Sequence, residues 1–178
     1  MDTSLVIQGR RLQRAANHLH SKLGAVPDNS IIQKRFGEVT TTELYAFLKL
    51  RTDVFYVEQK VDESELDDRD LEPATEHLWL ADGPRVTAYL RVLEDAVPEH
   101  LDAARVIGRV VVAADQRGRG LAQVLLARVV ERFGGEAMLL HSQSYAAGLY
   151  AKFGFEPFGP EFSEAGILHT TMYRPGIR

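Results

Sequence analysis

The sequence predicts a mixed α/β domain, with antiparallel strands first and a β-loop-α-β unit at the centre of the sheet. Three observations predict it. Two apolar runs flank an Asp82-Gly83-Pro84 turn and read as a β-hairpin. Arg105 to Val112 is a β-branched strand that leads through a Gly/Arg-rich turn into an apolar-periodic helix. The chain has 178 residues, 45% of them hydrophobic, which suits one core and one domain.

The elements follow in order. From Thr3 to Pro27 there is no acidic residue, while Leu12, Ala16, Leu19 and Leu23 recur at helical spacing. Residues 1–36 are therefore expected to be an N-terminal extension carrying an amphipathic helix, and residues 37–178 the main domain. An Arg-rich start of this kind also occurs in organelle transit peptides, but an accessory packing helix is the simpler reading. Thr40 followed by Glu43 is a capping-box pattern, and Leu44, Phe47 and Leu48 supply the apolar face of the helix it opens. Asp62 to Glu72 carries seven acids against the single base Arg69 and reads as a solvated loop closed by Pro73. His77 to Ala81 and Arg85 to Leu93 are the hairpin strands, Glu94 to Ala104 a loop, and Arg105 to Val112 the next strand. A helix then carries Leu121, Val124, Leu125, Val129 and Val130, and Gly134-Gly135 stops it. Ala137 to His141 is a short strand and Tyr145 to Phe153 a short helix ended by Gly154. Phe155 to Tyr173 is expected to close the sheet with a pair of strands.

Composition excludes several classes. The chain contains no cysteine, which removes thiolate metal sites, redox CxxC chemistry and a cysteine nucleophile. With 21 Lys+Arg against 25 Asp+Glu the net charge is −4, without the basic excess of a nucleic-acid binder. No apolar run has the length of a membrane span, and no apolar segment follows the basic N-terminal residues as in a secretory signal. The expected location is cytoplasmic, with no nucleic-acid or membrane partner and no metal.

The sharpest motif is Arg117-Gly118-Arg119-Gly120-Leu121-Ala122, placed between a strand and a helix. Glycines admit left-handed backbone and close approach of N–H groups to a ligand. The new helix adds unpaired N–H groups and the positive end of its dipole, a setting that suits phosphate. The P-loop pattern GxxxxGK[ST] is absent, and the dinucleotide pattern fails because Gln123 stands where its third glycine belongs. Arg117, Gly120 and Ala122 do fill the R/Q-x-x-G-x-G/A pattern of acyl-coenzyme A binding. Taken alone, such a turn is equally a strand-to-helix connection with solubilising arginines.

A second motif, Ala146-x-x-Leu149-Tyr150-x-x-x-Gly154-Phe155, follows it. With the strand Val110-Val111-Val112 and the turn, it makes the chain resemble the GNAT superfamily of N-acetyltransferases. Within that superfamily the chain is similar to the ElaA-like group. The residues behind this are Leu50-Arg51-x-x-Val54-Phe55-x-Val57-Glu58-Gln59, Ile107-Gly108-Arg109-Val110 and Glu164-x-Gly166-Ile167-x-His169-x-x-Met172. The resemblance covers about residues 38 to 173. It implies a mostly antiparallel twisted sheet flanked by helices, whose two central parallel strands splay apart around acetyl-CoA, the co-substrate.

By that resemblance the exposed backbone of Val110 and Val112 pairs with the pantetheine arm, Val111 lies with them on the cofactor side, and Arg117 to Ala122 cradle the pyrophosphate. Gln143, where many GNATs have asparagine, and Tyr150 complete the cofactor side. Tyr150 is placed beside the sulfur as proton donor, its alternative being a core tyrosine. The general base is open among Glu76, His77, His141, His169 and bulk water, with His169 favoured by its tail motif; each histidine also has a purely structural reading. Arg51, His77, Arg109 and Glu164 are candidate substrate contacts, and an arginine among them equally suits a pair with the acidic loop. That loop, near the acceptor side in such folds, suggests a cationic amine: a polyamine, an aminoglycoside-like amine or a lysine. The reading is acetyl transfer to a primary amine by direct attack in a ternary complex. A catalytically weak or inactive acyl-CoA-binding regulatory module is the alternative. Assembly is left open by the residues; the resemblance allows a homodimer, which the N-terminal helix is placed to mediate.

Overall fold

The computed structural model describes residues 31–177. Eight strands form one sheet: β1 (Ile31–Arg35), β2 (Glu76–Asp82), β3 (Arg85–Glu94), β4 (Arg105–Val112), β5 (Met138–Gln143), β6 (Glu156–Pro157), β7 (Phe162–Glu164) and β8 (Ile167–Arg174). Their order is β1-β2-β3-β4-β5-β8-β6, with β7 paired on β8. Among the described residues only β4 and β5 pair in parallel, and the other pairs are antiparallel. Three helices accompany the sheet among the described residues: α1 (Thr41–Thr52), α2 (Leu121–Phe133) and α3 (Ala147–Ala151).

Strand alternation sends successive side chains to opposite faces, and each face has its own cover. Leu78, Leu80, Leu90 and Leu140 meet Leu125, Leu126, Val129 and Phe133 of α2. Trp79, Tyr89 and Val111 face the other way, against Phe47, Leu50 and Val54. The Phe47 ring stacks 4.8 Å from that of Tyr89. Each such buried side chain contributes about 1.5–3 kcal/mol.

Local signals set the helix starts. Thr40 Oγ1 accepts from the Glu43 N–H at 3.3 Å, and a Glu43 carboxylate oxygen accepts from the Thr40 N–H at 2.9 Å. This is the expected capping box. α1 does not stop at Thr52. It runs into a wider π-helical turn, Asp53–Glu58, in which the Gln59 N–H reaches back to the Val54 carbonyl.

Three expectations change and one is not reached. The sheet begins at Ile31, so β1 takes in residues assigned to the extension; it pairs with β2, Ile31 opposite Leu80. The expected amphipathic helix at Leu12 to Leu23 lies outside the described residues. The tail supplies three strands instead of two, because β7 and β8 form their own hairpin over Ala165-Gly166. The segment from Ser144 starts as a 3₁₀ turn and becomes helical only at Ala147.

Candidate active site

β4 and β5 are joined at one end only. Their parallel pairing covers Arg105 with Met138, Val106 with Leu139 and Ile107 with Leu140, and then stops. Beyond that point each follows its outer neighbour, β4 to Val112 opposite Ala88 of β3 and β5 to Gln143 opposite His169 of β8. A cleft of about 570 Å³ opens in the divergence and runs through the sheet.

Backbone direction along β4 follows from two contacts. The Ala113 N–H donates to Thr87 at 2.9 Å on the β3 side, so by alternation Val111 also turns to β3 while Val112 and Val110 turn their N–H groups into the gap. At the other end Arg105 donates to Ala137, so Ile107 points toward β5. Simple alternation would carry Arg109, not Val110, into the gap. The change of parity occurs at Arg109, where φ is +55° and the β3–β4 register shifts. Leu90 faces two residues there, which makes a β-bulge. A left-handed arginine costs on the order of 1–2 kcal/mol. Val111 thus contributes a wall side chain, without a free N–H.

At the mouth, Gly118 and Gly120 both take left-handed angles, φ +76° and +79°, and α2 starts at Leu121. The first N–H groups of α2 have no partners within the helix and carry its positive end. Arg117 stands over this turn. Its Nη1 and Nη2 each donate to a Glu58 carboxylate oxygen at 2.7 Å, and its Nε to the Val112 carbonyl at 3.3 Å. Arg119 donates to Gln116 at 3.0 Å. Free N–H groups along the gap followed by a cationic cradle fit an amide-bearing arm that ends in a pyrophosphate, as in acyl-CoA.

Tyr150 is on α3 and lines the cleft. Burial, with a smaller contribution from Tyr145, pushes its phenol above the ordinary value, so it keeps its proton at neutral pH. Its hydroxyl makes no hydrogen bond with the described residues, and its ring sits edge-on to Phe155 at 6.4 Å. Gln143, at the end of β5, exchanges amide hydrogen bonds with Gln59 at 3.0 and 3.4 Å and accepts one from Tyr145 at 2.6 Å. His169 also lines the cleft. Its Nδ1 lies 2.9 Å from the Ile167 carbonyl, which only accepts, so Nδ1 carries the proton and Nε2 is the acceptor. Nε2 is 3.8 Å from a Glu164 carboxylate oxygen.

The acidic loop is solvated in part: Asp62, Glu63 and Asp68 are exposed, as expected, while Glu65, Asp67 and Asp70 meet buried arginines. Arg51 donates to both carboxylate oxygens of Asp70 at 2.9 Å and pairs with Glu65. Arg91 binds Asp67 at 2.8 Å and Asp70 at 2.9 Å. Arg109 Nε lies 2.9 Å from Glu65, and its Nη2 reaches Asp67 at 3.3 Å. Burial pushes the Asp67 carboxyl up, but the Arg91 and Arg109 guanidiniums outweigh it and hold it at about 2. Arg51 and His77, expected at the substrate, do not line the cleft: both are fully buried. His77 is spent on the Tyr89 hydroxyl at 2.7 Å and the Asp70 carbonyl at 3.1 Å. Glu76, a candidate base, is buried between β1 and α2, where Arg132 holds it at 2.8 Å. His141 lines the cleft but pairs with Glu99 at 3.1 Å. Arg109 and Glu164 do line it.

The cleft also holds Glu58, Gln59, Glu63, Glu65 and Arg91, of which the sequence singles out none as a site residue, although it places the loop of Glu63 and Glu65 near the acceptor side. Glu58 and Gln59 were legible as part of a motif, and Arg91 as a charge on an apolar strand; Glu63 and Glu65 carried no signal beyond the loop's acidity. Among the described residues no group of three or more His, Asp or Glu side chains is arranged to hold a metal ion. No helix among them is long and apolar enough to cross a membrane.

A splayed parallel pair with an anion cradle at its open end defines a protein that works on an acyl-CoA. The chain belongs to the GNAT acetyltransferase family: residues 51–174 match the model of the acetyltransferase (GNAT) domain. A UPF0039 protein of Mycobacterium tuberculosis is 42% identical over 137 residues, 75% of this chain and 85% of that protein. The ElaA protein of Escherichia coli is 32% identical over 145 residues, 79% of this chain and 93% of its own length. The crystal structure of ElaA superposes with a TM-score of 0.73, covering 81% of this chain and 97% of that one at 30% identity. An acyl-CoA N-acyltransferase from Pseudomonas aeruginosa gives 0.74 with the same coverages at 34% identity. The family's activity is acyl-CoA-dependent acyl transfer.

Proposed function

We propose that the protein is an acetyl-CoA-dependent N-acetyltransferase that acetylates a cationic primary amine by direct attack within a ternary complex, in the cytoplasm. Acetyl-CoA supplies an activated acyl group as a thioester. Val110 and Val112 offer N–H donors along the arm, while the Gly118-to-Ala122 backbone with Arg117 and Arg119 faces the pyrophosphate. Tyr150 holds a proton for the departing sulfur, which burial keeps on its hydroxyl.

The observation that carries the acceptor side is the His169–Glu164 pair. Two acceptor atoms 3.8 Å apart, with the ring proton committed to Ile167 on the other nitrogen, suit an amine that donates to both. Histidine is the residue type that takes up a proton near neutrality. Three acids of the loop are neutralised by arginines, so the attraction for a cation narrows to Glu63 and Glu164 in the cleft wall. With no cysteine in the chain, a cysteinyl thioester is not available and the amine attacks the bound thioester itself.

The test is thiol release from acetyl-CoA over a panel of polyamines, aminoglycosides and lysine peptides, with products identified by mass. The protein contributes no thiol background. Amine-dependent release that falls in His169→Gln supports the reading. Acetyl-CoA binding without release for any amine makes the protein the acyl-CoA-binding module instead.

A further inference from the structure

The β4 bulge is an uphill conformation that persists only where its surroundings over-determine it. What surrounds Arg109 is the acidic loop. Arg109 Nε meets Glu65 at 2.9 Å, and its Nη2 meets the Glu65 carbonyl at 3.2 Å and Asp67 at 3.3 Å. The same two acids are anchored elsewhere. Glu65 is held by Arg51, fully buried in α1, and Asp67 by Arg91 of β3. Arg91 stands directly opposite Gly108, the residue before the bulge. The loop therefore ties the kink in β4 to the two elements beneath it.

We propose that Glu65 and Asp67 are positioning residues: through Arg109 they hold the β4 bulge and so aim the Val110 and Val112 N–H groups into the gap. The inference rests on the acyl-CoA reading of that gap. If Arg109 relaxed to extended backbone, alternation would return. Arg109 and Val111 would then present their N–H groups to the gap, and Val111 would leave the core under α1. The acidity of this loop thus shapes the donor side of the cleft, beyond any attraction for the amine.

The test compares Glu65→Gln/Asp67→Asn with and without Arg109→Gly, since glycine adopts the left-handed angle without help. Acetyl-CoA affinity is read by calorimetry, and the bulge by the backbone NMR shifts of residues 108–112 in the ligand-free proteins. The double variant is expected to move those shifts and weaken acetyl-CoA binding by about tenfold, with Arg109→Gly restoring it to within about threefold. Unmoved shifts with unchanged affinity overturn the proposal, as does loss that glycine fails to rescue. Should the double variant not fold, Arg109→Gly against Arg109→Ala decides: glycine binds acetyl-CoA more tightly if the bulge must be held, and equally or more weakly if it need not. If wild type binds no acetyl-CoA, the acyl-CoA reading fails, and the NMR shifts alone decide whether the two acids hold the bulge.

Discussion

Arg117 and Glu58 form a bidentate ion pair across the mouth of the cleft, both contacts at 2.7 Å. The pair joins the π-helical turn after α1 to the glycine turn before α2. It places a carboxylate on the guanidinium that an incoming pyrophosphate would engage. Both partners are nearly half exposed, so the pair is a weak one.

Glu58 and the ligand therefore compete. Glu58→Gln is expected to tighten acetyl-CoA binding about 2- to 5-fold at low salt, and the gain should shrink as salt screens the mouth. Titration calorimetry at two ionic strengths checks this. Weaker binding in the variant would mean that Glu58 orients Arg117 for the ligand.

Tyr150→Phe removes the hydroxyl and keeps the ring against Phe155. kcat is expected to fall about 10²-fold or more, with little change in acetyl-CoA affinity. Unchanged turnover in steady-state assays takes the hydroxyl out of the reaction and leaves Tyr150 a core residue.

Acid stability follows from the buried network. Asp67 sits at about 2 when folded, against about 3.9 in an unfolded chain. Between these values the unfolded chain binds the proton and the native state does not. The stabilisation is therefore complete above pH about 4 and is lost as pH falls toward about 2. His77 acts in the same direction at higher pH. Burial keeps its imidazole below the ordinary value, so the unfolded chain takes up a proton first as pH drops below about 6.5. Denaturant titrations from pH 7 to 2 should show a shallower acid slope for Asp67→Asn than for wild type. Parallel curves would contradict the assignment.

Arg174 carries a different kind of load. It is buried, and burial lowers its basicity; no carboxylate pairs with it among the described residues. It donates to the carbonyls of Phe153 at 3.0 Å and Gly134 at 3.2 Å, after α3 and α2. Arg174→Met leaves those carbonyls bare while sparing a buried charge. The expected net loss is about 1–3 kcal/mol, a Tm lower by roughly 3–10 °C by calorimetry. An unchanged or higher Tm would show that desolvation of the guanidinium outweighs its hydrogen bonds.

The parts legible in the sequence are those fixed by neighbours along the chain. Thr40 and Glu43 write the start of α1 within one turn, and Gly118 and Gly120 announce left-handed backbone because glycine is the residue that takes it readily. The bulge was not legible. Arg109 carries no local mark of a positive φ, and its conformation depends on carboxylates distant in sequence. The loop is legible only in part, for the same reason: its acidity reads as solvated, and a pair with an arginine is foreseeable, but that Arg51, Arg91 and Arg109 converge on Glu65, Asp67 and Asp70 depends on three separate elements. β1 ends in Lys34 and Arg35 and has no hairpin turn to announce it, so only its pairing with β2 defines it. His169 is fixed by a contact two residues away, yet its role depends on facing the same cleft as Tyr150, which the sheet order decides.

The most direct test of the whole account is a backbone NMR titration of the full chain with acetyl-CoA. The amide signals of Val110, Val112, Gly118 and Gly120 through Ala122 are expected to shift together along one saturation curve, while Val111, turned to β3, moves much less. Absence of saturable shifts at these amides, or shifts centred away from the β4–β5 gap, would contradict it.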